Sequence, residues 1–194
     1  MTRKTLLVSA MLAMMATAAD AHTGVGSTSG FVHGFMHPIS GVDHILAMVA
    51  VGLFAVQLGG RALWLVPLSF VSMMVVGGVL GMSGVNVPFV EIGIGLSVVV
   101  LGAIVAFNWK APTVAAMAIC GLFAIFHGHA HGAEMPDSAG GASYALGFVL
   151  ATALLHVVGI GLGITAGRYM SSRVARIGGA AMALAGIGIL NGAI

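Results

Sequence analysis

An aspartate and three histidines crowd the start of the first long apolar run of this 194-residue chain. His33, His37 and the adjacent pair Asp43-His44 are set among residues otherwise apolar enough to cross a bilayer. An ionisable side chain in such a run is costly to bury and marks a functional site by default. A second cluster, F-H-G-H-A-H-G-A-E over residues 126–134, brings His127, His129, His131 and Glu134. His156 stands within a later apolar run, His22 precedes the first, and Glu91 follows Pro88 by three residues. Imidazole and carboxylate donors together suit a borderline divalent cation such as Ni, Zn, Cu or Co. Thiolates, which would hold such an ion too tightly for release, take no part. The single cysteine, Cys120, sits in an apolar run and reads as a buried, inert thiol.

These residues need a container, and composition says which kind. Only 6% of residues are charged and 59% are hydrophobic, with a mean hydropathy of +1.12. Soluble domains carry roughly 25% charged residues. The chain therefore reads as an all-α, polytopic membrane protein in contact with lipid, and its net charge of +2 gives no reason to expect nucleic acid. Residues 1–21 have the form of a cleavable signal peptide. Arg3 and Lys4 precede a short apolar stretch, and Ala19-Asp20-Ala21 is a small-x-small cleavage site. Cleavage there would start the mature domain, residues 22–194, at His22, whose amine and imidazole together can chelate a metal. Six apolar spans follow, near 33–57, 62–82, 88–107, 112–131, 143–166 and 176–193, each close to the ~20 residues a bilayer core requires.

Charge orients the spans. With the mature N-terminus outside, the first, third and fifth connections hold Arg61, Lys110, Arg168, Arg173 and Arg176, while Glu134 and Asp137 lie in the fourth. The positive-inside rule then places the chain in a bacterial inner membrane with its N-terminus in the periplasm. Glycines four apart, Gly77 and Gly81, Gly159, Gly163 and Gly167, and Gly188 and Gly192, let helix backbones approach closely in lipid. They predict a tight bundle, or an interface between copies in a homo-oligomer.

Taken as one helix through Pro38, the first span puts His33, His37, His44 and Met48 on a single face, with Asp43 about a quarter-turn away. The Met48 thioether serves as readily for packing. In the second cluster a helix would align His127, His131 and Glu134 and turn His129 away, whereas an extended strand would align His127, His129 and His131. Both clusters, with Glu91, fall on the outer side, and His156 lies near the membrane midplane.

At these residues the chain resembles the HupE/UreJ family. The family's first signature, H-P-x-x-G-x-D-H with a following methionine and V-G pair, reads His37-Pro38-Ile39-Ser40-Gly41-Val42-Asp43-His44, then Met48 and Val51-Gly52. Its second signature, F-H-G-x-A-H-G-x-E, reads from Phe126 to Glu134. The resemblance covers essentially the whole chain. It implies uptake of nickel, with cobalt carried by some relatives, to supply hydrogenase or urease maturation. It also implies functional roles for His37, Asp43, His44, Phe126, His127, His131 and Glu134. The metal is then cargo, and no permanently bound cofactor is expected. No G-x-x-x-x-G-K-[ST] run is present, which points to facilitated diffusion or gradient-coupled transport.

Two other readings compete. Gly81-Met82-Ser83-Gly84 and the run from His156 to Gly163 look like the serine and histidine signatures of rhomboid intramembrane proteases. Alternatively, a membrane metal sensor or assembly factor would use every ligand of a permease without transporting.

Overall fold

The computed structural model describes residues 30–135 and 140–193. The expected signal peptide, His22 and Asp137 lie outside the described residues. Seven helices follow one another: α1 (Gly30–Ser40), α2 (Val42–Leu58), α3 (Ala62–Met82), α4 (Val90–Phe107), α5 (Thr113–Ala133), α6 (Gly141–Tyr169) and α7 (Ser172–Leu190). No strand occurs among the described residues. Five helices are long and apolar enough to cross a membrane alone, and α1 with α2 makes a sixth span if the bent pair is one. The outward faces are apolar, as a lipid-facing surface must be, with Trp64, Leu68, Val79, Leu122 and Leu146 exposed.

The first span is not the single helix expected. It breaks at Gly41 and turns by 79°. Pro38 sits inside the last turn of α1, and Ser40 Oγ donates to the His37 carbonyl at 2.8 Å, taking up an acceptor the ending helix leaves free. Gly41 is extended, and α2 restarts with the Ile45 amide bonded to the Gly41 carbonyl. The common face drawn through His33, His37, His44 and Met48 therefore does not exist. His33 and His37 belong to α1, His44 and Met48 to α2.

Helix α2 is the centre of the bundle. Every residue from Leu46 to Ala55 is buried, and the helix packs on α6, α4 and α3. Around it the most extensive contacts pair α3 with α5, α4 with α7, and α1 with α6. Glycines permit these pairings. A methyl group at Gly128 of α5 would run into the Met74 carbonyl and lie 2.9 Å from the Gly78 amide of α3, and one at Gly132 would lie 2.9 Å from Gly78 Cα. Gly77 and Gly81 face α5 in the same way, and Gly159 and Gly163 face α2. The expected ridges at these positions thus serve packing within one chain, whereas Gly167 and Gly192 face open space. At one end Lys110 Nζ donates to the Gln57 carbonyl and Arg176 Nε to the Ala106 carbonyl at 2.8 Å, gathering three basic connections together.

The α3–α5 contact generates a stability prediction. Gly128→Ala must force two backbones apart and should lower stability by about 1–3 kcal/mol, the usual cost of overpacking. Gly161→Ala, at a mid-helix glycine with nothing within 4 Å, should hold or raise it. Thermal unfolding of both variants in detergent checks the contrast.

Candidate metal site

Residues 126–134 take the helical alternative, since α5 runs through Ala133. His127, His131 and Glu134 accordingly fall towards one side. His129 turns the other way, and its Nε2 donates to the Val85 carbonyl at 2.7 Å, tying α5 to the loop after α3. His129 is thus not among the converging histidines.

The break at Gly41 sets the first half of the site. Asp43 Oδ1 accepts from the His44 backbone amide at 2.8 Å and from His44 Nδ1 at 3.0 Å. This carboxylate fixes the tautomer, so His44 carries its proton on Nδ1 and presents a bare Nε2. A side chain at residue 41 would obstruct the arrangement, because a Cβ there would lie 2.7 Å from Asp43 Oδ1 and 3.1 Å from His44 Nδ1. Gly41 is needed for that close approach.

His44 Nε2 points into the bundle and meets two imidazoles of α5. It lies 2.9 Å from His127 Nδ1 and in hydrogen-bond contact with His131 Nε2. All three rings are buried, with 4%, 0% and 5% of His44, His127 and His131 exposed. On its far side the His127 ring meets α4, where Ser97 Oγ lies 2.8 Å from Nε2. Phe126 packs its ring on Gly93, one turn before Ser97, and so seats this part of α5 on α4. That is the structural place of Phe126.

His131 also belongs to a second, outer group. His37, His131 and Glu134 each offer a ligand atom, and those atoms lie within 4.8 Å of one another. His37 Nε2 is 3.5 Å from Glu134 Oε2, with side chains 30% and 60% exposed. Its ring centroid is 4.5 Å from that of His131, which is itself 4.2 Å from that of His44. His33 stacks on the outer flank of His37 at 5.9 Å. Tyr144 and Phe148 of α6 wall the group, and an apolar cleft between α3, α5 and α6, with Met74 and Met82 in its lining, reaches His131. The result is a row of donors running from exposed to buried: Glu134, His37, His131, then His44 and His127.

His156 lies beyond this row. It is buried, and neither ring nitrogen has a hydrogen-bond partner among the described residues. Its ring centroid is 5.3 Å from that of Phe70, and Phe70 is 5.8 Å from His127, so one aromatic ring touches both histidines. Ser83, exposed at the end of α3, is no partner of His156, and the serine–histidine pair of a rhomboid is not assembled. Met48 is fully buried in the hydrophobic core, and Glu91 is exposed in the first turn of α4, with no hydrogen bond or ion pair among the described residues.

The sequence model of the "HupE / UreJ protein" family matches residues 10–189. A curated relative, "Protein HupE" of Rhizobium leguminosarum bv. viciae, is 47% identical over 186 residues, spanning 95% of this chain and 97% of the relative. The chain belongs to the HupE/UreJ family. No solved structure matches it. Within the family signatures, the geometry separates residues by task. His37, His44, His127, His131 and Glu134 bring nitrogen and carboxylate atoms close to one another, Asp43 orients His44, and Gly41, Gly128 and Gly132 permit the close approaches.

Sequence reasoning missed Ser97, Tyr144, Phe148 and Phe70. Ser97 left a signal, as the one polar side chain between Ile92 and Phe107. The aromatic residues left none, because phenylalanine is unremarkable in an apolar span.

Two substitutions test the groups that orient His44, and a third serves as a control. Asp43→Asn and Gly41→Ala should each weaken divalent-metal binding about 10–100-fold, the usual cost of losing a group that orients a metal-binding histidine. His129→Ala should stay within a few-fold of the unaltered protein. Isothermal titration of the purified chain in detergent measures all three.

Proposed function

We propose that the chain is a permease of the bacterial inner membrane that takes up a divalent metal, Ni²⁺ before Co²⁺, for hydrogenase or urease maturation. One observation carries the reading. His44 Nε2, a nitrogen left with a lone pair by Asp43, is approached by nitrogens of both His127 and His131. One lone pair can accept one N–H, so three converging imidazoles cannot all be satisfied by one another. A cation at their meeting point satisfies every lone pair at once. Family membership supports the same cargo.

In this reading Glu134 and His37 capture the hydrated ion at the periplasmic face, with His33 contributing at the rim. His131 belongs to both groups and passes the partly dehydrated ion inward to His44 and His127. Their buried rings replace its water, and the Asp43 carboxylate lowers the cost of a dication in low dielectric. The ion then moves past Phe70 to His156 and leaves at the end gathered around Lys110 and Arg176, the cytoplasmic side by the positive-inside rule. The donors are nitrogen and oxygen throughout, which suits binding weak enough for release. Transport is by facilitated diffusion or coupling to a gradient. A sensor or assembly factor would share these ligands and differ only in flux.

The test is ⁶³Ni²⁺ uptake into proteoliposomes. Saturable uptake is expected in the unaltered chain, with a loss of at least tenfold in His131→Ala, since that ring joins the two groups, and no change in Ser83→Ala. Tight binding without flux would instead favour the sensor reading.

The same assay has a pH dependence of definite sign. Imidazoles bind metal only when neutral, so protons compete for every histidine in the row. Uptake should be full at neutral pH and fall as pH drops below about 6. A rate unchanged between pH 7 and pH 5 would count against capture by histidine.

A further inference from the structure

Ser97 is the one hydroxyl that reaches the histidine cluster from α4, and its own proton is already committed. Ser97 Oγ donates to the Ile94 carbonyl at 2.6 Å. A serine has a single hydroxyl proton, so towards His127 the same oxygen can act only as an acceptor. His127 Nε2, 2.8 Å away, must therefore bear the ring proton. In a neutral imidazole the other nitrogen is then bare, and that nitrogen is Nδ1, the atom 2.9 Å from His44 Nε2. Both residues are wholly buried, so no water replaces this acceptor.

We propose that Ser97 is a positioning residue for transport, holding His127 in the tautomer that offers Nδ1 to the metal. Serine does for His127 what Asp43 does for His44, without adding a charge. The two devices are needed together. If His127 carried its proton on Nδ1 instead, that N–H would donate to His44 Nε2, so one inward nitrogen would be protonated and the lone pair of the other taken up by the hydrogen bond. Ser97 prevents His127 from closing that bond with His44. The contact between Phe126 and Gly93 supports this role mechanically, because it holds the two helices at the spacing the Ser97–His127 bond needs. The inference rests on the permease reading for its purpose, but the tautomer is testable without metal.

The decisive variant is Ser97→Ala. Its His127 proton should move to Nδ1, where His44 Nε2 accepts it, leaving a bare Nε2 against the alanine methyl group. The metal-free protein loses little stability by this exchange, while the metal must now break a hydrogen bond to enter. Nitrogen-15 NMR of histidine-labelled protein, with His127 assigned through His127→Gln, distinguishes the protonated from the bare ring nitrogen. The expected result is Nε2–H in the unaltered chain and in Ser97→Thr, which keeps the hydroxyl, and Nδ1–H in Ser97→Ala. Ni²⁺ affinity should fall about 10–100-fold in Ser97→Ala and recover in Ser97→Thr, with metal-free melting temperatures little changed. An Nε2–H tautomer persisting in Ser97→Ala would overturn the proposal, as would undiminished nickel affinity in that variant. A tautomer shift in a protein that binds no nickel would uphold the role of Ser97 and sink the permease reading instead.

Discussion

The structure turns on one contact, the meeting of His44 with His127 and His131 inside the bundle. Three imidazoles in a low-dielectric interior are costly to bury unless each nitrogen has a partner. Asp43 and Ser97 supply partners on the outer sides of two rings, and His131 Nδ1 has none among the described residues. The inner nitrogens are left facing one another. A protein built for stability alone would fill this space with leucine, whereas here α2 and α5 turn imidazole nitrogens toward one another.

The break at Gly41 is what makes the meeting possible. His37 and His44 are seven residues apart, and on a straight helix they would stand about 10 Å from each other along the axis. No single ring on α5 could touch both. The 79° turn brings α1 across the entrance, so both ring centroids come within 4.5 Å of His131. The proline and glycine of the first signature then have physical work at the turn, one in the last turn of α1 and one admitting the Asp43–His44 pair. The glycines of the second signature work from the other side. Gly128 and Gly132 bring the α5 backbone against α3, which leaves His127 and His131 facing the bundle centre and His129 facing the loop.

Much of this was legible in the residues themselves. Membrane class, helical composition and the two clusters follow from composition and from ionisable groups in apolar runs, because a buried charge is so rare without purpose. The helical register of 126–134 was one of two readings and could not be chosen from spacing alone, since glycines at 128 and 132 suit either. The common face of His33, His37, His44 and Met48 was misread for a specific reason. It assumed that Pro38, tolerated in a first turn, left the helix running through Gly41, whereas the chain ends one helix there and begins another. Ser97 and Phe70 stayed hidden because partners across helices have no sequence spacing. Only the fold shows that residue 97 faces residue 127.

The gradient of exposure along the donors constrains how such a site can discriminate. At Glu134 and His37, 60% and 30% exposed, an ion can keep most of its water and bind through charge. At His44 and His127 it must exchange water for imidazole, and only borderline ions recover that dehydration cost from nitrogen donors. Magnesium and calcium, which prefer oxygen, should stop at the rim. Copper and zinc would pass by affinity alone, so the nickel preference proposed above would have to come from geometry. Two of the three inner rings are held by fixed hydrogen bonds, to Asp43 and to Ser97. His131 differs, since among the described residues its Nδ1 has no partner and its ring has neighbours in both groups. In the proposed reading the two held rings would select the ion and His131, shared by both groups, would pass it on, a division of labour that a transport site needs and a storage site does not.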